Sequence, residues 1–301
     1  MSLLSSTHKL YSRGSPTAEI PDNQLCTVYQ CNHVIDVISI QKRSSSISDY
    51  RKVSKSLYCD TKSGEVFEYK KHEKRYHSLK DTFTNLRRLI NNNFTGRHSE
   101  LMLVLTYSSY MDNAEQLYQD FRKFWLRFKY HFPPSEYICI IEPQASGSYH
   151  LHVLVKTRDG SMLFVPKQQL DQLWGHGGTY VRRITDVDNL GAYFCSYFTN
   201  LDYFENTDIQ KKYPSAKMIV KNARLHYYPP NLKIYRCSKG IKRPKPITLP
   251  FSEVKKIVGD SQPVRQSAKH IVSVDENGTE HELNAIEYRQ YNLNIKNKKG
   301  V

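Results

Sequence analysis

The sequence predicts an α+β protein built on an antiparallel sheet, with helices packed on one face. Three observations carry this expectation. Residues 101–107, 137–142 and 149–155 are short apolar runs of strand length. Residues 78–91 and 113–129 carry apolar side chains at helical spacing. A turn around Gly147 joins the second and third runs into a hairpin. The order strand, helix, two paired strands, helix, strand, helix then favours an antiparallel sheet over alternating parallel units.

Taken along the chain, residues 1–32 are polar and turn-rich, with Gly14, Pro16 and Pro21, and are expected to be loosely ordered. Residues 33–40 alternate well enough to form a strand, and 42–46 read as a basic loop. Residues 56–60 and 65–69 flank Thr61-Lys62-Ser63-Gly64 as a hairpin. Ser78 is expected to cap a helix that runs to about Asn91, with a stripe of Leu79, Phe83, Leu86, Leu89 and Ile90. The next helix presents Leu117, Phe121, Phe124, Trp125 and Phe128 on one side, and Pro133-Pro134 stops it. Residues 166–174 form a helix ended by Gly175, residues 178–183 a strand. Asp186 or Asp188 caps a further helix reaching about Asn200. Beyond Tyr203 the chain is basic, with Tyr227-Tyr228 before Pro229-Pro230. Near the end, Asp275-Glu276-Asn277-Gly278 joins two short strands in a hairpin. Three segments follow: an N-terminal extension (1–75), a core (76–204) and a basic C-terminal region (205–301).

Composition narrows the partners. Lys and Arg outnumber Asp and Glu by 44 to 29 in 301 residues, a net +15 that favours a polyanion. The 22 Tyr add rings on which unpaired bases stack. No run approaches the length of about 18 apolar residues that a membrane span needs. The start Met1-Ser2-Leu3-Leu4-Ser5-Ser6-Thr7 has no signal-peptide core, so a cytoplasmic, membrane-free protein is expected. Its six cysteines are then most simply thiols. Cys26 and Cys31 with His33 resemble half a zinc site, but no second pair stands at a matching spacing.

Two motifs suggest chemistry. His150-Leu151-His152 lies in a strand, where residues i and i+2 share a face, so both imidazoles aim at one point. Glu142, near the end of the preceding strand, could oppose them across the hairpin and add an oxygen donor. Two imidazoles and a carboxylate leave coordination positions open on a divalent metal. Tyr193 and Tyr197 stand four apart on a helix and can reach a common site. Either pair alone also occurs in ordinary strands and amphipathic helices. Their ordered conjunction, in a basic chain, is what points to cutting of a nucleic-acid strand by a tyrosine.

On these residues the chain resembles the rolling-circle replication initiators of the HUH endonuclease superfamily, similar to the replication-associated proteins of plasmids and phages. Leu103-Val104-Leu105-Thr106-Tyr107 matches the first family motif, an apolar strand ending in Thr. His150-Leu151-His152 matches the metal motif, Glu142 a third ligand, and residues 193–200 the tyrosine motif. The likeness spans about residues 100–200. It implies a central antiparallel sheet of about five strands and a metal-dependent nicking and joining activity. It also implies Mg or Mn held by His150, His152 and Glu142, and Tyr197 as first nucleophile with Tyr193 available for a second cut. The implied partners are single-stranded DNA or an origin hairpin, with a host polymerase. A host helicase would also be needed, because no Gly-x4-Gly-Lys-[Ser/Thr] phosphate loop occurs. Family members often carry Lys three residues after the tyrosine. Here Ser196 and Asn200 hold those places, and Arg182, Arg183, Lys211 and Lys212 are alternative sources of the cation. Relaxases of the superfamily commonly place the tyrosine before the histidines, and its transposases are usually shorter. From another class, a regulator that binds nucleic acid without cutting it would share the charge but not the metal dependence.

Overall fold

The computed structural model describes residues 9–15, 19–41, 50–54, 57–60, 63–68, 71–144, 146–185, 189–199, 201–203, 218–220, 223–274 and 279–295. The first stretch supplies strands β1 (Lys9–Ser15), β2 (Leu25–Cys31), β3 (Val34–Ile40), β4 (Tyr50–Lys52), β5 (Leu57–Asp60) and β6 (Val66–Glu68). The middle comprises α1 (Lys71–Asn93), β7 (Glu100–Leu105), α2 (Ala114–His131), β8 (Ser135–Pro143), β9 (Tyr149–Thr157) and α3 (Lys167–Trp174). It continues with β10 (Thr179–Arg183), α4 (Leu190–Thr199), β11 (Leu201–Tyr203), β12 (Met218–Val220), the 3-10 turn Ala223–Tyr227 and β13 (Tyr235–Cys237). The last stretch holds β14 (Ile247–Pro250), α5 (Phe251–Val258), β15 (Pro263–Val274) and β16 (Glu280–Asn292).

These elements make an α+β fold in two compact units, Glu73–Arg243 and the combination of Met1–His72 with Pro244–Val301. The Glu73–Arg243 unit is organised on a five-stranded antiparallel sheet in the order β10-β7-β9-β8-β13. Strand β9 is buried along nearly its whole length because helices cover both faces of the sheet. Helices α1 and α4 lie on one face, where Leu86, Ile90, Leu190, Phe194 and Phe198 pack on Met102, Ile138, Ile140 and Leu154. Helices α2 and α3 close the other, where Phe121, Phe124, Phe128 and Trp174 pack on Leu103, Leu151, Val153 and Val155. The expectation of helices on one face is thus corrected: the uninterrupted apolar run in β9 already calls for cover on both sides.

Most strand and helix expectations of this unit hold to within a few residues. Helix α2 is capped by Asn113, whose side chain accepts from the amides of Glu115 and Gln116, and Gly175 ends α3 at φ 71°. Helix α1 starts at Lys71 instead of Ser78. Its first two turns, Lys71-His72-Glu73-Lys74-Arg75-Tyr76-His77, have no apolar stripe to betray them, and Ser78 sits inside the helix. Asp186 and Asp188 lie outside the described residues. Asn189 caps α4, its side chain accepting from the amide of Ala192 at 2.9 Å.

The other unit corrects the expectation of separate terminal segments. Its six-stranded sheet runs β1-β15-β16-β3-β2-β14, interleaving strands from both ends of the chain. Residues 25–31, expected to be loosely ordered, form β2, which turns through Asn32 at φ 56° into β3. Cys26 is buried in an apolar core with Val28, Ile35 and Val37, beneath Phe251, Val254 and Val258 of α5. That setting gives no support to a zinc site there. The expected hairpin of residues 56–69 is present as β5 paired with β6. The turn 275–278 lies outside the described residues, although β15 and β16 on either side of it pair antiparallel. Among the described residues no helix is long and apolar enough to cross a membrane.

Candidate metal centre and tyrosine cleft

The β8–β9 hairpin builds the centre of the site. Its register sets Glu142 opposite His150 and Ile140 opposite His152. Strand alternation does the rest: Glu142, His150 and His152 all leave the α1/α4 face, while Leu151 and Val153 go to the other core. Gly147, at φ 85°, lets the hairpin close, its amide donating to the Gln144 carbonyl. The result is a tight triangle of donor atoms. His152 Nε2 lies 2.6 Å and His150 Nε2 2.8 Å from the same Glu142 Oε2, and the two Nε2 atoms are 3.0 Å apart. All three side chains are buried.

This donor set fits a divalent cation. Metal–oxygen and metal–nitrogen bonds of about 2.1 Å, set at right angles, put neighbouring donor atoms about 3.0 Å apart. The observed separations match one face of such a coordination sphere, and three protein donors leave its other positions for water and substrate. Burial pushes Glu142 up, but hydrogen bonds from His150 and His152 and their charge outweigh it, bringing the carboxyl down to about 2. A carboxylate held ionised between two imidazoles is ready to bind a cation without first losing a proton. His150 Nδ1 is buried without a hydrogen-bond partner among the described residues, so no described acceptor fixes that ring from behind.

The tyrosine helix reaches the same place from the neighbouring side. The Asn91 side chain, from α1, accepts from the amide of Gly191 at 2.6 Å and donates to the Asn189 side chain at 3.0 Å. Helix α4 thereby hangs by its first turn from α1. Gly191 makes the approach possible, because a Cβ there would overlap the Arg87 carbonyl and stand 2.7 Å from Asn91 Oδ1. Further along the helix, Phe198 packs edge-on against His152 with ring centres 5.0 Å apart. Tyr193 is 40% exposed and opens onto a cleft of about 550 Å³. Glu142, His150, His152, Thr106, Tyr180 and Arg182 share its lining.

The expected site residues are therefore brought together unevenly. Glu142, His150, His152 and Tyr193 meet in one cleft. Tyr197 belongs to the same helix, but its side chain lies outside the described residues, as do Asn200, Lys211 and Lys212. Of the four possible cations, Arg182 is the one beside a tyrosine. Its Nη2 donates to the Tyr193 hydroxyl at 2.8 Å, and its Nε is buried with no partner among the described residues. Arg183 turns away to the His98 carbonyl. Thr106 directly follows β7, its amide and hydroxyl both donating to the Gly178 carbonyl, which anchors the loop leading into β10. Asn91, Gly191 and Tyr180 were not anticipated. A glycine early in a helix was a readable sign of close approach. Nothing local marked Asn91, a hundred residues from the helix it holds.

Residues 100–202 match the model of a family described as replication-associated protein ORF2. That stretch runs from β7 into β11 and contains all three donors, Arg182 and both tyrosines. The match supports a replication-associated protein, in line with the resemblance read from the motifs. No curated protein and no solved structure matches the chain.

Proposed function

We propose that the chain initiates rolling-circle replication by nicking and rejoining single-stranded DNA through a 5′-phosphotyrosine. The observation that carries this reading is the convergence of a Glu/His/His donor triangle, a tyrosine and an arginine on one cleft, inside the segment similar to replication-associated proteins. In this reading Glu142, His150 and His152 hold Mg or Mn. Bound there, the cation supplies Lewis-acid polarisation of a phosphate oxygen, worth roughly three decades of rate or more.

The chain's own residues do the rest. A tyrosine of α4 attacks the phosphorus, and Tyr193 is the described phenol placed to do so, with Tyr197 one turn later for a second transfer. The Arg182 guanidinium donates to the oxygen on which negative charge gathers as the phenol proton passes to solvent. A bond forms between phosphorus and the tyrosine oxygen while the bond to the 3′ oxygen breaks. That oxygen takes up a proton and becomes the 3′-hydroxyl from which a host polymerase extends, after a host helicase has opened the duplex. Because one phosphoester replaces another, rejoining needs no nucleotide cofactor.

The test is covalent capture. Single-stranded oligonucleotides tiled across the gene for this chain and its flanks are incubated with the protein and Mn, then resolved under denaturing conditions. A protein–DNA adduct is expected that needs Mn and disappears in His150→Ala, in His152→Ala and in the Tyr193→Phe, Tyr197→Phe double variant. Oligonucleotide binding without any adduct would instead indicate a regulator that does not cut.

A further inference from the structure

The cleft contains one aromatic side chain that neither the donor triangle nor the tyrosine helix employs. Tyr180 stands on β10, an edge strand of the five-stranded sheet, where it pairs with Val104. Its residue is 55% exposed, and among the described residues no ring packs on it and no group hydrogen-bonds its phenol. A single exposed tyrosine is commonplace on a protein surface. This one differs in its surroundings. It lines the same cleft as Glu142, His150, His152 and Tyr193, and strand alternation puts it on the same face as Arg182, two residues on. The cleft floor between them is apolar, made by Met102, Val104 and Phe194. At about 550 Å³ the space falls within the range of about 300–1,000 Å³ typical of small-ligand sites, well beyond what a cation and one phosphate fill.

An apolar floor, an unengaged ring at the rim and a guanidinium with a buried, unpartnered Nε–H together suit one nucleotide: base on the ring, phosphate toward the arginine. We infer that Tyr180 stacks on an unpaired base next to the scissile phosphate and thereby makes the cleft selective for single-stranded over duplex DNA. This rests on the nicking reading above. In a duplex both faces of every base are already covered, so a base reaches Tyr180 only after leaving the stack. Stacking on an aromatic face tolerates any base. Tyr180 therefore reads whether the strand is open rather than what its sequence is.

The experiment measures binding of a fluorescein-labelled oligo-dT, and of a blunt duplex of equal length, to the full chain in EDTA by fluorescence anisotropy. Tyr180→Ala is expected to raise the Kd for oligo-dT by roughly five- to a hundred-fold. Tyr180→Phe and Tyr180→Trp keep a ring and are expected to stay near wild type. Duplex affinity is expected to be the same in all four proteins, and so is the melting temperature. Oligo-dT affinity that is unchanged in Tyr180→Ala overturns the stacking role, and so does a Tyr180→Phe as weak as Tyr180→Ala. Adduct formation with Mn, scored in parallel on the tiled oligonucleotides, separates this failure from that of the nicking reading. Wild type that forms the adduct beside a Tyr180→Ala that binds normally removes only the stacking role. Wild type that forms no adduct removes the nicking reading and with it any placement beside a scissile phosphate. A Tyr180→Phe that binds normally but forms no adduct would overturn stacking in another way, by putting the phenol hydroxyl into the chemistry.

Discussion

Replacing Gly191 by alanine tests whether the position of the tyrosine helix controls the reaction independently of the metal. The added Cβ would stand 2.7 Å from Asn91 Oδ1 and 2.8 Å from Asn91 Cγ, with the Arg87 carbonyl closer still, whereas Cβ atoms essentially never approach other heavy atoms below 3.0 Å. Asn91 cannot simply swing aside, because it holds the Gly191 amide and the Asn189 side chain. The Arg87 carbonyl belongs to the backbone of α1 and yields less. The first turn of α4 must therefore retreat by several tenths of an ångström, and Tyr193, two residues on, moves with it. Misplacement of a reacting group by about 1 Å costs roughly a hundred-fold in rate. A ten- to hundred-fold loss is expected here, together with a destabilisation of about 1–3 kcal/mol from overpacking. Metal affinity should be unchanged, since all three donors come from β8 and β9. The assay is single-turnover adduct formation in saturating Mn, beside calorimetric titration with Mn and a thermal melt. Adduct formation at the wild-type rate would refute the claim that Gly191 sets the tyrosine, and a parallel loss of Mn affinity would refute the separation of helix from metal.

Two further perturbations address the charges of the site. Arg182→Gln removes the cation facing Tyr193 and is expected to slow adduct formation by roughly a hundred- to thousand-fold, the usual effect of losing a donor aimed at developing charge; Mn affinity, read by calorimetry, should hold. In the metal-free protein Glu142 titrates near 2, against about 4.5 for an ordinary glutamate. A depressed carboxyl stabilises the fold fully above its unfolded pKa, so this contribution is complete above about pH 4.5 and is lost as pH falls toward 2. Glu142→Gln should flatten that acid limb in urea melts made in EDTA, and an acid limb identical to wild type would show that the carboxylate is not held by the imidazoles.

What could be read from the sequence follows the range of the interactions involved. The His-x-His pair, its opposing Glu142 and the helical pair Tyr193/Tyr197 are set by strand and helix periods within a few residues. The hairpin that joins Glu142 to His150 needs only the turn around Gly147. Asn91 escaped because its partners lie about a hundred positions away, and Arg182 could not be ranked above Arg183 until the β7–β10 register gave each a face. The same limit explains the terminal regions. Strand β1 pairs with β15 from the far end of the chain, a choice no local pattern expresses. Helix α5 is a different failure: Phe251, Val254 and Val258 fall at helical spacing after Pro250, and the signal was there to use.

The strand order accounts for the cation's origin. The metal donors sit on the inner strands β8 and β9, whereas Arg182 and Tyr180 sit on the edge strand β10, with β7 between. Adjacent strands lie about 4.8 Å apart, so β10 stands roughly 10 Å from β9. Strand β7 and the residue after it contribute to this gap Met102, Val104 and Thr106, none of them charged. A cation that is to meet the tyrosine over this gap from β10 must be long and must present its donors side-on, which suits arginine better than lysine. Arg182 does so, and its hydrogen bond to the Tyr193 hydroxyl explains how α4 can carry Ser196 where the resembling proteins often have lysine. Arg182→Lys should accordingly recover only part of what Arg182→Gln loses. A lysine placed on the helix instead, Ser196→Lys in the Arg182→Gln background, should restore little unless its ammonium reaches the phenol. Full rescue by that pair would mean that the site asks only for positive charge nearby, and that the edge-strand geometry is incidental.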